Sequence, residues 1–183
     1  MKVLFIGLGS IGQRHLRNII STHKGKIEIF ALRSVNKKFE ITNKLKVKNN
    51  NIEIKYNIEK IKNISEIKKI KPFITFICNP SSLHIKYAIE AAKCGSNLFI
   101  EKPLSNSLIN ASRFMKVLNN RKICCMVGYQ LRFEKELNDL KRIIHNKKYG
   151  ELKVIKLDFG EKLKNMHKYE VLDDVIYGKK HLG

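Results

Sequence analysis

Short apolar runs alternate with one-sided helical segments along the chain from its first residues. KVLFIG (2–7) predicts a strand, which leads through GLGSIG into a helix over IGQRHLRNII (11–20). IEIFAL (27–32) predicts a second strand. A Lys- and Asn-rich stretch follows, with one helix expected near 36–45. IEIKYN (52–57) alternates and reads as a third strand, polar enough for an edge position. In IEKIKNISEIKKI, Ile58, Ile61, Ile64, Ile67 and Ile70 recur every three residues, which predicts an apolar stripe on a helical segment. FITFIC (73–78) is a continuous apolar run, as in a strand covered on both faces. The helix after it has Ser81 or Ser82 as a cap and Gly95 past its end. NLFIE, a helix over 107–120 and KICCMVG (122–128) complete the series. Strands and helices in this order predict an α/β fold, a Rossmann-type doubly wound parallel sheet.

After Gly128 the pattern changes. Residues 133–147 predict a helix, and ELKVIKLDFGE (151–161) predicts a half-buried antiparallel strand. These two elements read as the start of a second, α+β antiparallel-sheet domain that the chain does not continue. The expected division is a complete domain over 1–128 and an incomplete one over 129–183. The chain reads as truncated.

Composition changes this picture little. With 37 Lys plus Arg against 16 Asp plus Glu, the formal charge is +21. That charge suggests a nucleic acid or an anionic surface as partner. The basic residues, however, are 30 Lys and 7 Arg, beside 25 Ile, 17 Asn and 5 Ala, a bias that AT-rich coding produces. The lysines are spread along the chain, and Arg, which base readout and phosphate forks favour, is scarce. A solvated surface is the expectation, with no specific nucleic-acid partner. No apolar run approaches the ~20 residues of a membrane span, so no membrane partner is expected. The opening apolar stretch is interrupted by three glycines and lacks a signal-peptide cleavage site. Cys78, Cys94, Cys124 and Cys125 show no zinc spacing and read as reduced core thiols, which predicts a cytoplasmic protein and no metal site.

Gly7-Leu8-Gly9-Ser10-Ile11-Gly12 is a G-x-G-x-x-G between a strand and a helix, the context that dinucleotide binding requires. Gly7 permits the tight turn, Gly9 admits a pyrophosphate close to the backbone, and Gly12 lets helix and strand pack closely. Ser10 and Ile11 open the helix whose free N–H groups would face the anion. An NAD site usually has Asp or Glu at the end of the second strand. Arg33-Ser34 stand there instead, and the first acid is Glu40. A cation and a hydroxyl suit a 2′-phosphate, so NADP(H) is favoured while NAD(H) stays open.

Residues 78–105, CNPSSLHIKYAIEAAKCGSNLFIEKPLS, taken with GLGSIGQRH, closely resemble the Gfo/Idh/MocA family of NAD(P)-dependent oxidoreductases. Asn79, Pro80, His84, Glu101-Lys102-Pro103, Gly128-Tyr129 and Arg132-Phe133 carry the resemblance. It implies that Lys102 lies beside nicotinamide and substrate, before a proline that is often cis. Lys102 would polarise or deprotonate a substrate hydroxyl, and Glu101 would orient it. Asn79 and Pro80 would shape the floor under the nicotinamide, with His84 beside them. The implied activity is hydride transfer to or from a hydroxyl or carbonyl of a sugar-like substrate.

Family members also carry an Asp-x-x-x-His pair in the second domain, which also supplies much of their oligomer interface. Lys141, Leu163 and Tyr177 precede His145, His167 and His181 by four residues, so no such pair occurs here. The expectation is therefore cofactor binding with impaired catalysis, and homo-oligomerisation stays open. The alternative is a non-catalytic nucleotide-binding sensor or interaction module.

Overall fold

The structure is a computed structural model that describes residues 1–33 and 39–160. Six strands form one parallel sheet: β1 (Lys2–Ile6), β2 (Glu28–Leu32), β5 (Ile58–Ile61), β6 (Ile74–Ile77), β7 (Asn97–Ile100) and β8 (Cys125–Val127). Their spatial order is β5-β2-β1-β6-β7-β8. The order reverses between β1 and β6, where the carboxyl ends of a doubly wound sheet leave a crevice for a ligand. β3 (Glu40–Ile41) and β4 (Val47–Lys48) form a separate antiparallel hairpin.

Both faces of the sheet are covered, which explains the unbroken apolar runs. On β1, Val3 and Phe5 pack with Leu16 of helix α1 (Ser10–Thr22), while Leu4 and Ile6 join the opposite cluster. That cluster includes Ile67 and Ile70 of α3 (Ile67–Ile70), Ile85 and Ala88 of α4 (His84–Lys93), and Phe114 of α5 (Ala111–Arg121). Successive residues of a strand point to opposite faces, so a doubly covered strand has no polar side to show.

Three sequence expectations fail around β5. Residues 52–57 are not a strand: Ile52–Lys55 form the short helix α2, because Asn51 accepts the Glu53 N–H at 3.0 Å and caps it. Ile52 is buried and Ile54 exposed, which gives the alternation another cause. The isoleucine stripe is not one helix either. Ile58 and Ile61 lie in β5, three apart and therefore on opposite, equally covered faces. A capping box between Asn63 and Glu66 then starts a 3₁₀ turn before α3. The helix expected near 36–45 gives way, over residues 39–45, to β3 and its turn. Ser34 and residues 35–38 lie outside the described residues.

Two further differences are smaller. A 3₁₀ turn over Ser81–Leu83 leads into α4, and no side-chain cap bond is made at Pro80 or Leu83, so neither serine is its cap. Gly95, at φ +81°, does end it. Cys124 is exposed, unlike buried Cys78, and all four cysteines are free thiols.

The chain divides at Gly128. In the second unit a 3₁₀ turn (Gln130–Phe133) precedes helix α6 (Lys135–His145). Residues 151–160 have no regular structure, contrary to the strand expected there. Leu152, Val154, Ile155 and Leu157 are exposed. A strand needs a neighbour for its N–H and C=O groups, and none is paired with this segment among the described residues. No helix among the described residues is long and apolar enough to cross a membrane.

Candidate functional site

The turn from β1 into α1 is set by sterics at two glycines. Gly7 has φ +90°, and a Cβ there would lie 2.8 Å from the backbone of Cys78 and Asn79. A Cβ on Gly12 would lie 2.4 Å from the Gly7 carbonyl oxygen. These two glycines bring the first turn of α1 against the carboxyl end of β6. Gly9 differs: its backbone is extended at φ −71°, and a Cβ would meet nothing within 4 Å. Neither conformation nor packing requires glycine at this exposed position. Ser10 begins α1, and Ile11 packs partly against the core.

The loop is tied to its surroundings by a residue the sequence reading missed. The buried Gln13 side chain donates to the carbonyls of Leu8 and Phe39, both at 3.2 Å, and accepts the Ile41 N–H at 2.7 Å. It thus fastens the glycine loop to β3. The signal available was a polar residue on the buried stripe of α1, beside Gly12 and Leu16.

At the end of β6, the backbone of Asn79 stands beside Gly7, and Pro80 follows it. His84, buried at the start of α4, places Nε2 2.8 Å from the Asn79 carbonyl oxygen and Nδ1 2.8 Å from that of Pro103. One ring therefore joins the β6 loop to the β7 loop, and His84 shapes the site from beneath. The Asn79 side chain is the exception in this network. Both its Oδ1 and its Nδ2 are shut away from solvent with no hydrogen-bond partner. Buried amides are almost always paired, and an orphaned one costs free energy.

Glu101 and Lys102 follow β7, and the Lys102–Pro103 peptide is cis, as the family resemblance implies. Glu101 does not reach out to the lysine side chain. Its Oε1 lies 2.6 Å from His15 Nε2, and its Oε2 accepts the Lys102 backbone N–H at 3.2 Å. The carboxylate holds the loop, while the Lys102 side chain is exposed. His15 was also missed. It lies three residues after Gly12 on the inward side of α1, its ring against Phe99 and Phe76 at centroid distances of 4.7 and 5.7 Å. The same edge holds Cys78, whose thiol burial pushes well up, with the Glu101 carboxylate adding to the effect. That thiol stays protonated and inert.

Arg33 follows β2 directly, next to the glycine loop, whose Gly7 N–H donates to Leu32 at 3.0 Å. Its Nη1 donates to Glu53 Oε1 at 2.8 Å, and Lys60 Nζ lies 3.2 Å from Glu53 Oε2. Glu53 was not anticipated, since it arrives from α2, twenty residues beyond Arg33. Among the described residues, no group of three or more His, Cys, Asp or Glu is placed to hold a metal ion.

The residues at this edge fit a dinucleotide cofactor on two observations: the orphaned Asn79 amide, and the open space at Gly9, where a Cβ would meet no protein atom within 4 Å. Comparison with known proteins agrees. The Gfo/Idh/MocA model, described as an oxidoreductase family with an NAD-binding Rossmann fold, matches residues 1–129. The uncharacterized oxidoreductase YrbE of Bacillus subtilis (strain 168) is 26% identical over 152 residues, which are 83% of this chain and 42% of that protein. The scyllo-inositol 2-dehydrogenase (NAD(+)) of the same organism is 27% identical, over 80% of this chain and 40% of its own length. The crystal structure of scyllo-inositol dehydrogenase from Lactobacillus casei, with bound NAD(H) and scyllo-inositol, superposes with a TM-score of 0.63 at 18% identity. It covers 82% of this chain and 42% of that one. The chain thus spans about two fifths of the length of these relatives. With the strand order, the glycine loop and the Asn79–His84–Lys102 edge all in place, this chain belongs to the Gfo/Idh/MocA oxidoreductase family.

Proposed function

We propose that residues 1–128 bind a nicotinamide dinucleotide, and that the chain serves hydride transfer to or from a hydroxyl or carbonyl of a sugar-like substrate. The observation that carries this reading is the Asn79 carboxamide, buried and unpartnered beside the glycine loop. It can donate and accept at once, which suits the amide and ribose groups at the nicotinamide end of the cofactor. Gly7, Gly9, Ser10, Ile11 and Gly12 form the cradle for the pyrophosphate. NADP(H) is the favoured cofactor because Arg33 stands where an acid would repel a 2′-phosphate. Residues 129–183 are assigned to a portion of a substrate-binding domain.

The bound cofactor would supply the hydride acceptor or donor. The chain's own residues orient the partners. Lys102 reaches from the carboxyl edge of β7, where its ammonium can hydrogen-bond a substrate hydroxyl oxygen and exchange the proton that accompanies hydride transfer. Glu101, fixed by His15, keeps the Lys102 backbone in place. His84 holds the two loops that carry Asn79 and Lys102 at a fixed spacing.

The test is a fluorescence titration of the chain with NADPH and NADH, followed by an assay of sugar and polyol oxidation. Saturable binding that survives Lys102→Met, with any oxidation lost in that variant, supports the assignment. Failure of both dinucleotides to bind refutes it.

A further inference from the structure

We propose that His15 is a positioning residue for Lys102: it holds the Glu101 carboxylate away from the neighbouring ammonium and so leaves Lys102 free for a substrate hydroxyl. The inference rests on the reading of Lys102 as the residue that meets substrate. An adjacent carboxylate and ammonium in a loop attract each other, and a carboxylate that holds the ammonium competes with any substrate for it.

Here the carboxylate is engaged elsewhere. Glu101 Oε1 lies 2.6 Å from His15 Nε2, and Oε2 accepts the Lys102 backbone N–H at 3.2 Å. An ionised carboxylate only accepts, so Nε2 carries the donated hydrogen. The His15 and Glu101 side chains are 16% and 14% exposed, so water competes little for this contact. Phe76 and Phe99 flank the imidazole and fix its plane. Gly128, at the end of β8, leaves the room the carboxylate needs: a Cβ there would lie 3.2 Å from both Glu101 Oε1 and the Phe99 ring. Among the described residues the Lys102 ammonium makes no hydrogen bond or ion pair. α1 and the ends of β7 and β8 thus converge on one carboxylate, and the cation next to it is left single.

The experiment follows acetylation of Lys102 in the full chain by dilute acetic anhydride at one fixed pH, read by mass spectrometry with exposed Lys69 as internal reference. Acetylation consumes the neutral amine, and a carboxylate on the ammonium disfavours that form. His15→Phe keeps a ring against Phe76 and Phe99 and removes the donor. Glu101 is then released, and Lys102 acetylation is expected to fall about two- to fivefold, the factor an exposed ion pair supports. His15→Gln loses the ring but keeps an N–H for the carboxylate, so its rate should stay near the parent's. Adding Glu101→Gln to His15→Phe removes the anion and should restore the parent rate. Thermal melts establish that each variant is folded. A parent-like rate in folded His15→Phe overturns the inference, and so does an equal fall in both His15 variants, which traces to packing alone. Glu101→Gln by itself gives a check that needs no change at His15. It should leave the Lys102 rate near the parent's, and a clear rise would show that Glu101 already holds the ammonium, which overturns the inference. NADPH and NADH titrations of the parent are read separately, and failure to bind either overturns the dinucleotide reading without altering the acetylation rates.

Discussion

The two ends of the candidate site are held by different forces. At the end that would receive nicotinamide, the parts are fixed by sterics and by hydrogen bonds to backbone: Gly7 and Gly12 pack without side chains, and His84 spans two carbonyls. At the end that would receive the adenosine, charges do the holding. Arg33, Glu53 and Lys60 form one cluster, and Glu40, buried in β3, binds Lys55 of α2 at 2.6 Å and Asn50 at 2.9 Å. The first end is a shape set by backbone contacts. The second is an electrostatic balance that a single substitution can tip. Sterics tolerate little change at the first end, whereas the charged contacts of the second respond to pH and salt.

The largest effect that would expose this difference comes from Gly12→Val. Its Cβ would fall 2.4 Å from the Gly7 carbonyl oxygen, which is backbone and cannot swing aside. A loss of about 3 kcal/mol or more is expected, read as a collapsed or much lowered thermal transition. A parent-like melt would show that the loop is not sterically set.

His84→Ala comes next. It removes a buried ring whose nitrogens face the carbonyls of Asn79 and Pro103, and with it the N–H donated to one of them, at an expected cost of about 2–4 kcal/mol in urea unfolding. An effect within ~0.5 kcal/mol would show that neither the packing of the ring nor its hydrogen bond holds the two loops.

Glu40→Gln probes the charged end. The Lys55 hydrogen bond, then that of Asn50, hold the Glu40 carboxyl below its ordinary range. A depressed carboxylate contributes stability that is complete above its unfolded pKa and lost as pH falls through its folded pKa. The variant should therefore lose about 1–2 kcal/mol at pH 7, and the gap to the parent should close as the pH drops below about 4. A gap that persists unchanged into acid would contradict the charge-based account.

Asn79→Leu has the smallest effect on stability. Because neither polar atom of its side chain has a partner, the variant should be as stable as the parent or up to about 1 kcal/mol more stable. Its affinity for either dinucleotide should fall about tenfold, the worth of a buried hydrogen bond to the ligand. Lower stability with unchanged affinity would make Asn79 structural.

Legibility in the sequence follows the same division. β1, β6 and β7 are continuous apolar runs because both faces of the sheet are covered, and the glycine loop was legible directly after β1, whereas Asn79, His84 and Lys102 stood out only through the family resemblance. Around β5 local capping competed with periodicity. Asn51 turned an alternating segment into α2, and the capping box of Asn63 with Glu66 split the isoleucine stripe between a strand and a helix. Those caps were visible as Asn-x-Glu and Asn-x-x-Glu, but an isoleucine every third position outweighed them. His15 and Glu53 could not be read in their roles, because each depends on a partner 86 or 20 residues away that only the folded sheet brings close. Residues 151–160 erred in the other direction. Their alternation describes a strand that needs a neighbour, and the described residues provide none.

The most direct test of the dinucleotide site is the Gly9→Val variant, measured by thermal melting and by NADPH and NADH titration side by side. Gly9 has an extended backbone and a Cβ there meets open space, so the variant should fold, at a cost of about 1 kcal/mol or less for a poorer helix cap. A pyrophosphate lying on the loop, however, would meet the new side chain. The account predicts a melting temperature like the parent's with binding of both dinucleotides abolished. A folded variant that binds them as well as the parent does would contradict it.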